Sequence, residues 1–397
     1  MRNFKFIAII LFFFCLSLIP LPAFADRDTI PLQEADLYPS GSAAGIYAAP
    51  GGKIFVLDRA DEIWQVDPDT GNYQSFFGIS GYDLFDISIE SENRVWWTDY
   101  SQMFGSLDFT SGQIEYWEIM VENDDYWANM AQLGPLVYED GILWLSEWQG
   151  QYFGFLRFDT SNDQICSYKV PVSVADILLN DNYLFALDTR LDLDALLRLD
   201  TLNGQLIKYS FDEQIGLDAN LQTDGSILWW AEDVVGGDII SFDPVTEVRT
   251  VYDLPDDQHP RHLSLREGKI WYTNVNGTFG RLDPSEVAGV ASPLEHVEIK
   301  SSIDPVCVNL GTGETLTVDQ DPTPVAWADI TSTRTEIETG ILSYSLPEGA
   351  EPFGIASTLT DIWVSDPGLD RQKLIRMPID EEPPPDDYAI YLPLIIK

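Results

Sequence analysis

The stretch Lys269–Pro284, KIWYTNVNGTFGRLDP, contains two short runs in which apolar and polar residues alternate around a polar loop. Alternation with a period of two is typical of β-strands that bury one face. The LDP at its end begins an Asp-rich turn of the kind that closes a hairpin. The stretch therefore predicts two strands of an antiparallel sheet, followed by a turn into a third.

The same pattern recurs along the chain, most visibly in runs such as KIFVLD, RVWWTD, ILWLSE and DIWVSD. The aligned aromatic residues are 36 to 56 residues apart: Phe55, Trp96, Trp144, Phe185, Trp229, Trp271, Trp327 and Trp363. A four-stranded unit repeated about every 44 residues is typical of a β-propeller blade, because stacking such sheets around an axis buries both of their faces.

We count eight copies of the unit and predict an all-β propeller of eight four-stranded blades, with seven as the alternative. The seventh copy is degenerate and contains the insertion NLGTGETLTVDQDPTP, and the eighth supplies only three strands. The N-terminal segment DTIPLQEADLYP resembles a fourth strand. We therefore expect Thr29–Gln33 to pair with the last blade and close the ring, which removes an exposed sheet edge.

The two ends of the chain differ in composition from the repeats. Residues 1–25 combine Arg2 and Lys5 with an apolar run and an Ala23-Phe24-Ala25 cleavage site, which predicts a secretion signal peptide. An uncleaved anchor is the alternative. Residues 26–380 form the single propeller domain, and 381–397 a Pro/acidic linker with an apolar tail, either an attachment signal or an extra strand. We expect a monomer without a membrane span, secreted or at the bacterial cell surface.

The net charge of −43, from 65 acidic and 22 basic residues, excludes nucleic acid as a partner because phosphate backbones are bound by Lys and Arg. Such a surface attracts cations, including Ca²⁺ or Mg²⁺, or serves solubility alone. The residues beyond the signal include two cysteines, Cys166 and Cys307. In the eight-blade register they lie on distant strands, which predicts two free, buried thiols.

The repeat resembles the streptogramin B lyase (virginiamycin B lyase) family over residues 29–380, most clearly in EPFGIASTLTDIWVSD, KIWYTNVNGTFGRLDP and TGILSYSLP. The resemblance implies a propeller, and an enzyme that opens a cyclic depsipeptide by elimination with a histidine base, an acidic partner and Mg²⁺. The family's base lies in a Glu-Pro-His-Gly-Ile motif, which here reads Glu351–Ile355 with Phe353 in place of histidine. A second family histidine follows a proline, whereas here Arg261 follows Pro260 and His262 comes one place later.

The lyase interpretation therefore lacks its base, although His262 and Glu351 stay as candidate catalytic residues, with Asp366 as the nearest acid. Residues directly before each first strand are expected at the channel mouth, where Asp86, Asp176, Asn220 and His262, with Asp304 and Glu351 nearby, either hold Ca²⁺ or Mg²⁺ or cap turns. His259 and His296 are expected to be surface residues.

We favour a secreted, non-catalytic binding module with its ligand on the top face or at the channel mouth, where the loop aromatics Trp127, Trp148 and Tyr152 would bind a peptide, glycan or small molecule. The alternative is an enzyme: a divergent streptogramin lyase or another metal-assisted lyase or hydrolase.

Overall fold

The computed structural model describes most of the chain between residues 29 and 379. The described ranges are 29–37, 43–58, 61–68, 70, 72–81, 83–119, 132–147, 154–170, 172–189, 195–211, 215–216, 219–292, 296–299, 302–311, 313–317, 323–324, 327–338, 340–366 and 372–379. In these ranges the regular structure is almost entirely β-strand, as the alternating sequence predicts. No helix in them is long and apolar enough to cross a membrane.

The strands form seven blades around a central channel, so the seven-blade alternative is confirmed and the count of eight is wrong. The first three blades are each a four-stranded antiparallel meander, ordered from the channel outward. Blade 1 consists of β2 (Ala43–Ala48), β3 (Ile54–Asp58), β4 (Glu62–Asp67) and β5 (Asn72–Phe77). Blade 2 consists of β6 (Leu84–Ser91), β7 (Arg94–Asp99), β8 (Met103–Asp108) and β9 (Gln113–Glu118). Blade 3 consists of β10 (Leu133–Glu139), β11 (Ile142–Glu147), β12 (Phe155–Asp159) and β13 (Gln164–Tyr168).

The next three blades repeat this order, except that the last strand of blade 6 is supplied from further along the chain. Blade 4 consists of β14 (Val174–Asn180), β15 (Tyr183–Asp188), β16 (Ala195–Asp200) and β17 (Leu206–Ser210). Blade 5 consists of β18 (Gln222–Thr223), β19 (Leu228–Ala231), β20 (Ile239–Asp243) and β21 (Val248–Tyr252). Blade 6 consists of β22 (Pro260–Arg266), β23 (Lys269–Asn274), β24 (Thr278–Leu282) and β31 (Ile341–Ser345).

Blade 7 joins the two ends of the propeller. It consists of β32 (Ile355–Ser357), β33 (Asp361–Asp366), β34 (Gln372–Pro378) and the N-terminal β1 (Thr29–Leu37). Strand β1 runs antiparallel to β34, with Gln33 opposite Arg376. The predicted closure of the ring by an N-terminal strand is therefore confirmed.

Between β24 and β31 the chain leaves blade 6 and passes around the outside of the ring as a belt, which we define as Val290–Glu338. Its strands are β25 (Val290–Ser292), β26 (His296–Ile299), β27 (Val306–Asn309), β28 (Glu314–Thr317), β29 (Thr323–Pro324) and β30 (Trp327–Glu338). The first five pair in turn with the outermost strands of blades 5, 4, 3, 2 and 1. The sixth pairs with β1 and then with β31, so the belt returns to the blade it left.

The belt explains the error in the blade count. Trp327, which the sequence assigns to the second strand of a seventh copy, lies in the belt strand β30. The stretch TGILSYSLP, which would complete that copy, contains β31 and pairs with β24 as the outer strand of blade 6. Six blades and the belt therefore account for what reads as seven copies, and the eighth copy is blade 7.

The core lies between adjacent blades, where seven clusters of buried residues fill the seven interfaces. Aromatic residues of the second strands supply much of it: Phe55, Trp96, Trp144, Phe185, Trp229, Trp271 and Trp363 are all at most 7% exposed. Trp363 of blade 7 packs with Val56 of blade 1, which completes the ring. The stacking predicted from the repeat therefore holds at every interface.

The prediction of two free thiols is wrong, because Cys166 and Cys307 form a disulfide. Cys307 lies in the belt strand β27, directly opposite Cys166 on β13 of blade 3. The prediction placed Cys307 on an inner strand of a further blade, too far away for a bond. Cys166 is buried in the interface between blades 3 and 4, as expected, whereas Cys307 is exposed.

Candidate functional site

The central channel contains a cavity of about 510 Å³ lined by the first strands of the blades. Five of these strands carry a register shift at their start, between Ala43 and Gly45, Leu84 and Asp86, Leu133 and Leu136, Val174 and Asp176, and Pro260 and Leu263. A bulge leaves a residue outside the strand ladder and re-aims its side chain. The shifts therefore free polar side chains near the channel to reach neighbouring groups.

The two channel aspartates each reach the next blade. Asp86 of blade 2 accepts a hydrogen bond from the backbone N of Leu136 in blade 3 at 3.1 Å. Asp176 of blade 4 accepts one from the backbone N of Leu221 in blade 5 at 2.6 Å. The Tyr47 hydroxyl of blade 1 also donates to Asp86. These contacts tie blade 1 to blade 2, blade 2 to blade 3, and blade 4 to blade 5.

Asn220 and His262 occupy the equivalent positions in blades 5 and 6. The Asn220 amide accepts from the backbone N of Leu263 at 2.6 Å and donates to its carbonyl O at 3.0 Å. His262 Nδ1 lies 2.6 Å from the carbonyl O of Phe353 in blade 7 and must carry the proton, because a carbonyl only accepts. These contacts tie blade 5 to blade 6 and blade 6 to blade 7.

Burial changes the acidity of both aspartates. It raises the pKa of Asp86 to about 6, against the opposing hydrogen bonds from Tyr47, Leu136 and Ile87. Burial also raises the pKa of Asp176 well above its usual range, and the charge of Asp86 adds to this effect. Since desolvation disfavours the charged form, the channel holds carboxyl groups that take up protons more readily than exposed ones.

The binding of Ca²⁺ or Mg²⁺ by Asp86, Asp176, Asn220 and His262 stays a prediction. Three or more His, Cys, Asp or Glu side chains do not gather into a metal-binding group anywhere in the described ranges. The oxygens of Asp86 and Asp176 already accept backbone N–H groups, which a cation would have to displace.

The position that carries the base in the resembled family holds Phe353, whose ring is 8% exposed and lies 4.5 Å from the His262 ring, centroid to centroid. The Thr273 hydroxyl donates to the Phe353 carbonyl at 2.7 Å, so this segment is fixed from blade 6. A phenyl ring cannot accept a proton. The segment Glu351–Ile355 therefore resembles the family's motif but has no side chain at position 353 that can act as a base.

The two acidic residues expected near the channel mouth, Glu351 and Asp304, lie in different parts of the structure. Glu351 is exposed, and its backbone N donates to Asp366 Oδ1 at 3.0 Å. Asp304 was expected near the channel mouth, but it lies in the belt on the outside of the ring, between β26 and β27. That expectation is wrong for the same reason as the blade count. His296 also lies in the belt, in β26.

Sequence reasoning missed a polar cluster beside Phe353, which we call the Arg261 cluster: Asp233, His259 and Arg261. Asp233 Oδ1 accepts from His259 Nε2 at 2.9 Å and from Arg261 Nε at 3.2 Å. The guanidinium of Arg261 lies over the Phe353 ring, 5.1 Å from its centroid. The signal was present, because Asp233 follows a second strand and His259 precedes the next first strand, and these positions share one face of a propeller.

The aromatic ligand-binding candidates Trp127, Trp148 and Tyr152 lie outside the described residues. Their proposed role stays a prediction.

Comparisons with known proteins support the fold. No protein-family model matches the chain. No curated protein matches its sequence. Among solved structures, the chain is similar to a catalytically inactive virginiamycin B lyase from Staphylococcus aureus with quinupristin, at 17% identity and a TM-score of 0.59, over 87% of this chain and 99% of that one.

Two further solved structures are similar to the chain and also support only the fold. The extracellular domain of a one-component system from B. thetaiotaomicron matches at 12% identity and a TM-score of 0.54, over 86% of this chain and 39% of that one. A β-propeller domain from Myceliophteria thermophila matches at 9% identity and a TM-score of 0.55, over 87% and 99%. At these identities the likeness establishes a β-propeller and leaves its activity open.

Proposed function

We propose that this chain is an exported β-propeller that binds a small ligand at the channel mouth over blades 5, 6 and 7, and that it is not a lyase. The observation that carries the proposal is the meeting of Arg261, His262 and Phe353 beside a channel cavity of about 510 Å³. Concave sites with a few converging polar groups are where proteins bind small molecules.

Export is supported by two independent features. Residues 1–25 have the pattern of a secretion signal. The Cys166–Cys307 disulfide adds to this, because such bonds persist in oxidising compartments outside the cytoplasm. One of the similar structures is itself an extracellular domain.

The test is a thermal-shift screen of fragments and short saccharides and peptides, using the protein and two tryptophan variants. Gln222 lines the channel, so Gln222→Trp should obstruct it and abolish the shifts. Leu202 is 77% exposed on an outer turn, so Leu202→Trp should leave every shift unchanged. Hits that survive Gln222→Trp, in a variant that melts as the parent does, would place the ligand elsewhere.

The absence of lyase activity is tested separately, with a streptogramin B and Mg²⁺. Linearisation of the depsipeptide by the wild-type protein would overturn the non-catalytic part of the proposal, and His262→Ala and Glu351→Ala would then identify the residues involved. The expectation that Asp86, Asp176, Asn220 and His262 bind Ca²⁺ or Mg²⁺ is a further prediction. Calorimetry that detects no binding below millimolar concentrations would contradict it.

A further inference from the structure

The chain has 22 basic residues against 65 acidic ones, and some of its arginines are held at every guanidinium nitrogen. Arg376 gives an example, since its Nε and Nη2 donate to the two oxygens of Asp361 at 2.7 and 3.2 Å and its Nη1 donates to the carbonyl of Pro68. Three of its five N–H donors are therefore used, one on each nitrogen. Arg261 is different.

Arg261 donates to Asp233 through Nε alone, at 3.2 Å. Its Nη1 and Nη2 have no hydrogen-bond partner among the described residues, and its side chain is 23% exposed. The two free Nη groups form a planar fork that matches the two oxygens of a carboxylate. The fork is also held in place, because a guanidinium that is bonded at Nε and stacked on the Phe353 ring has lost most of its freedom.

The negative charge of Asp233 does not prevent Arg261 from binding an anion. Its side chain is only 8% exposed, and one oxygen is shared between Arg261 and His259. A Cβ at Gly216 would lie 2.3 Å from the Asp233 Cβ, so the neighbouring loop packs closely behind the carboxylate. The Asp233 carboxylate is therefore less accessible to a ligand than the Arg261 guanidinium.

We propose, as a refinement that rests on the function proposed above, that the ligand of the channel mouth carries a carboxylate that binds the Nη fork of Arg261. In a chain with a net charge of −43, an anionic ligand is repelled from most of the surface. A carboxylate therefore binds only where a cation has been fixed for it. Phe353, over whose ring the guanidinium lies, lines the channel cavity of about 510 Å³, and a cavity of this size takes a small molecule.

The probe is benzoate, with benzamide as its neutral isostere, observed by saturation-transfer NMR of the probe in the presence of the full chain. We expect benzoate to bind in the millimolar range and benzamide to bind at least tenfold more weakly. Arg261→Gln should weaken benzoate binding at least tenfold, and Arg261→Lys, which keeps the charge but loses the fork, severalfold.

Arg266→Gln is the matched control, because Arg266 lies at the other end of the same strand, β22. Its benzoate affinity should equal that of the parent. Equal binding of benzoate and benzamide, unchanged binding by Arg261→Gln, or no benzoate binding at 50 mM, a concentration of roughly ten times the weakest Kd expected for one paired carboxylate, would overturn the inference. Any of these results together with screen hits that Gln222→Trp abolishes would leave the proposed binding site intact.

Discussion

Cys166 and Cys307 lie directly opposite one another on adjacent antiparallel strands although 141 residues separate them in the chain. One belongs to blade 3 and the other to the belt, so the bond fastens the middle of the belt to the ring. A cross-link that closes so long a loop restricts the unfolded chain strongly.

Removing this bond should lower stability. Cys307→Ala is the variant of choice, because Cys307 is exposed while Cys166 is part of the core. We expect a loss of about 2 to 5 kcal/mol in the free energy of unfolding. Chemical denaturation measures the loss, and proteolysis should cut the belt sooner. Mass spectrometry that finds two free thiols in the native protein would contradict the assignment.

The contact between Asp176 and Leu221 should contribute to blade cohesion. Asp176→Ala leaves the Leu221 N–H without its acceptor, which costs about 1 to 3 kcal/mol when the group is buried. Asp176→Asn should cost less, since an amide oxygen can still accept this hydrogen bond, as the amide of Asn220 does from Leu263. Equal denaturation midpoints for the two variants would show that the acceptor has no such role.

Stability should fall as the pH rises from 5 to 8. Burial raises the pKa of Glu62 to about 7, and the nearby Asp58 charge adds to the increase against a hydrogen bond from Ser75. The folded state thus prefers the protonated form, so this stabilisation is complete below the unfolded pKa and is lost as the pH passes through 7.

Glu62→Gln should remove the part of that dependence that Glu62 contributes, while the buried Asp86 and Asp176 keep theirs. Because Glu62 is partly exposed, we expect the variant to exceed the wild type by about 1 to 2 kcal/mol at pH 8 and to match it at pH 4. Denaturation curves at both pH values provide the measurement. If wild type and variant keep a constant difference across this range, Glu62 does not titrate as the structure indicates.

Gly280 should resist substitution. It lies opposite Tyr272 in β23, and a Cβ there would come within 2.1 Å of the tyrosine Cζ. Gly280→Ala therefore forces the buried Tyr272 ring to move, at a cost of about 1 to 3 kcal/mol. A thermal melt compares it with Gly268→Ala, where a Cβ meets no atom within 4 Å and any loss comes from a φ of 74° alone.

Much of the fold could be predicted from the sequence because a blade is a local pattern. Alternation, turn residues and the recurrent aromatic residue specify four strands and their stacking, and the N-terminal closing strand resembles the outer strands elsewhere. The belt is not local. The five belt strands before β30 are only two to four residues long. They pair with the outer strands of blades 5 to 1, in the reverse of chain order, and the last of them pairs with a strand about 250 residues earlier in the chain. No repeat spacing in the sequence predicts which strands these short segments pair with.

The site divides in the same way. The repeat places Asp86, Asp176, Asn220 and His262 beside the channel, and the structure has them lining it. The partners of Asp86, Asp176 and His262 in the next blade depend on the bulges at the start of β6, β14 and β22, which sequence reasoning did not resolve. The sequence predicts a surface position for His259, whereas its side chain is part-buried against Asp233 of the preceding blade, 26 residues away, and no local pattern indicates that contact.

The belt also bears on how such a protein can evolve. Propellers change size when a repeat is duplicated or deleted, since each blade contacts only its neighbours. Here one strand of the belt serves each blade in turn, and β30 must still reach β1 and β31 after a full circuit. An added blade would need an added belt strand at the corresponding place in a different part of the gene. Duplication of one blade repeat would therefore not be enough to give this propeller an eighth blade with its own belt strand.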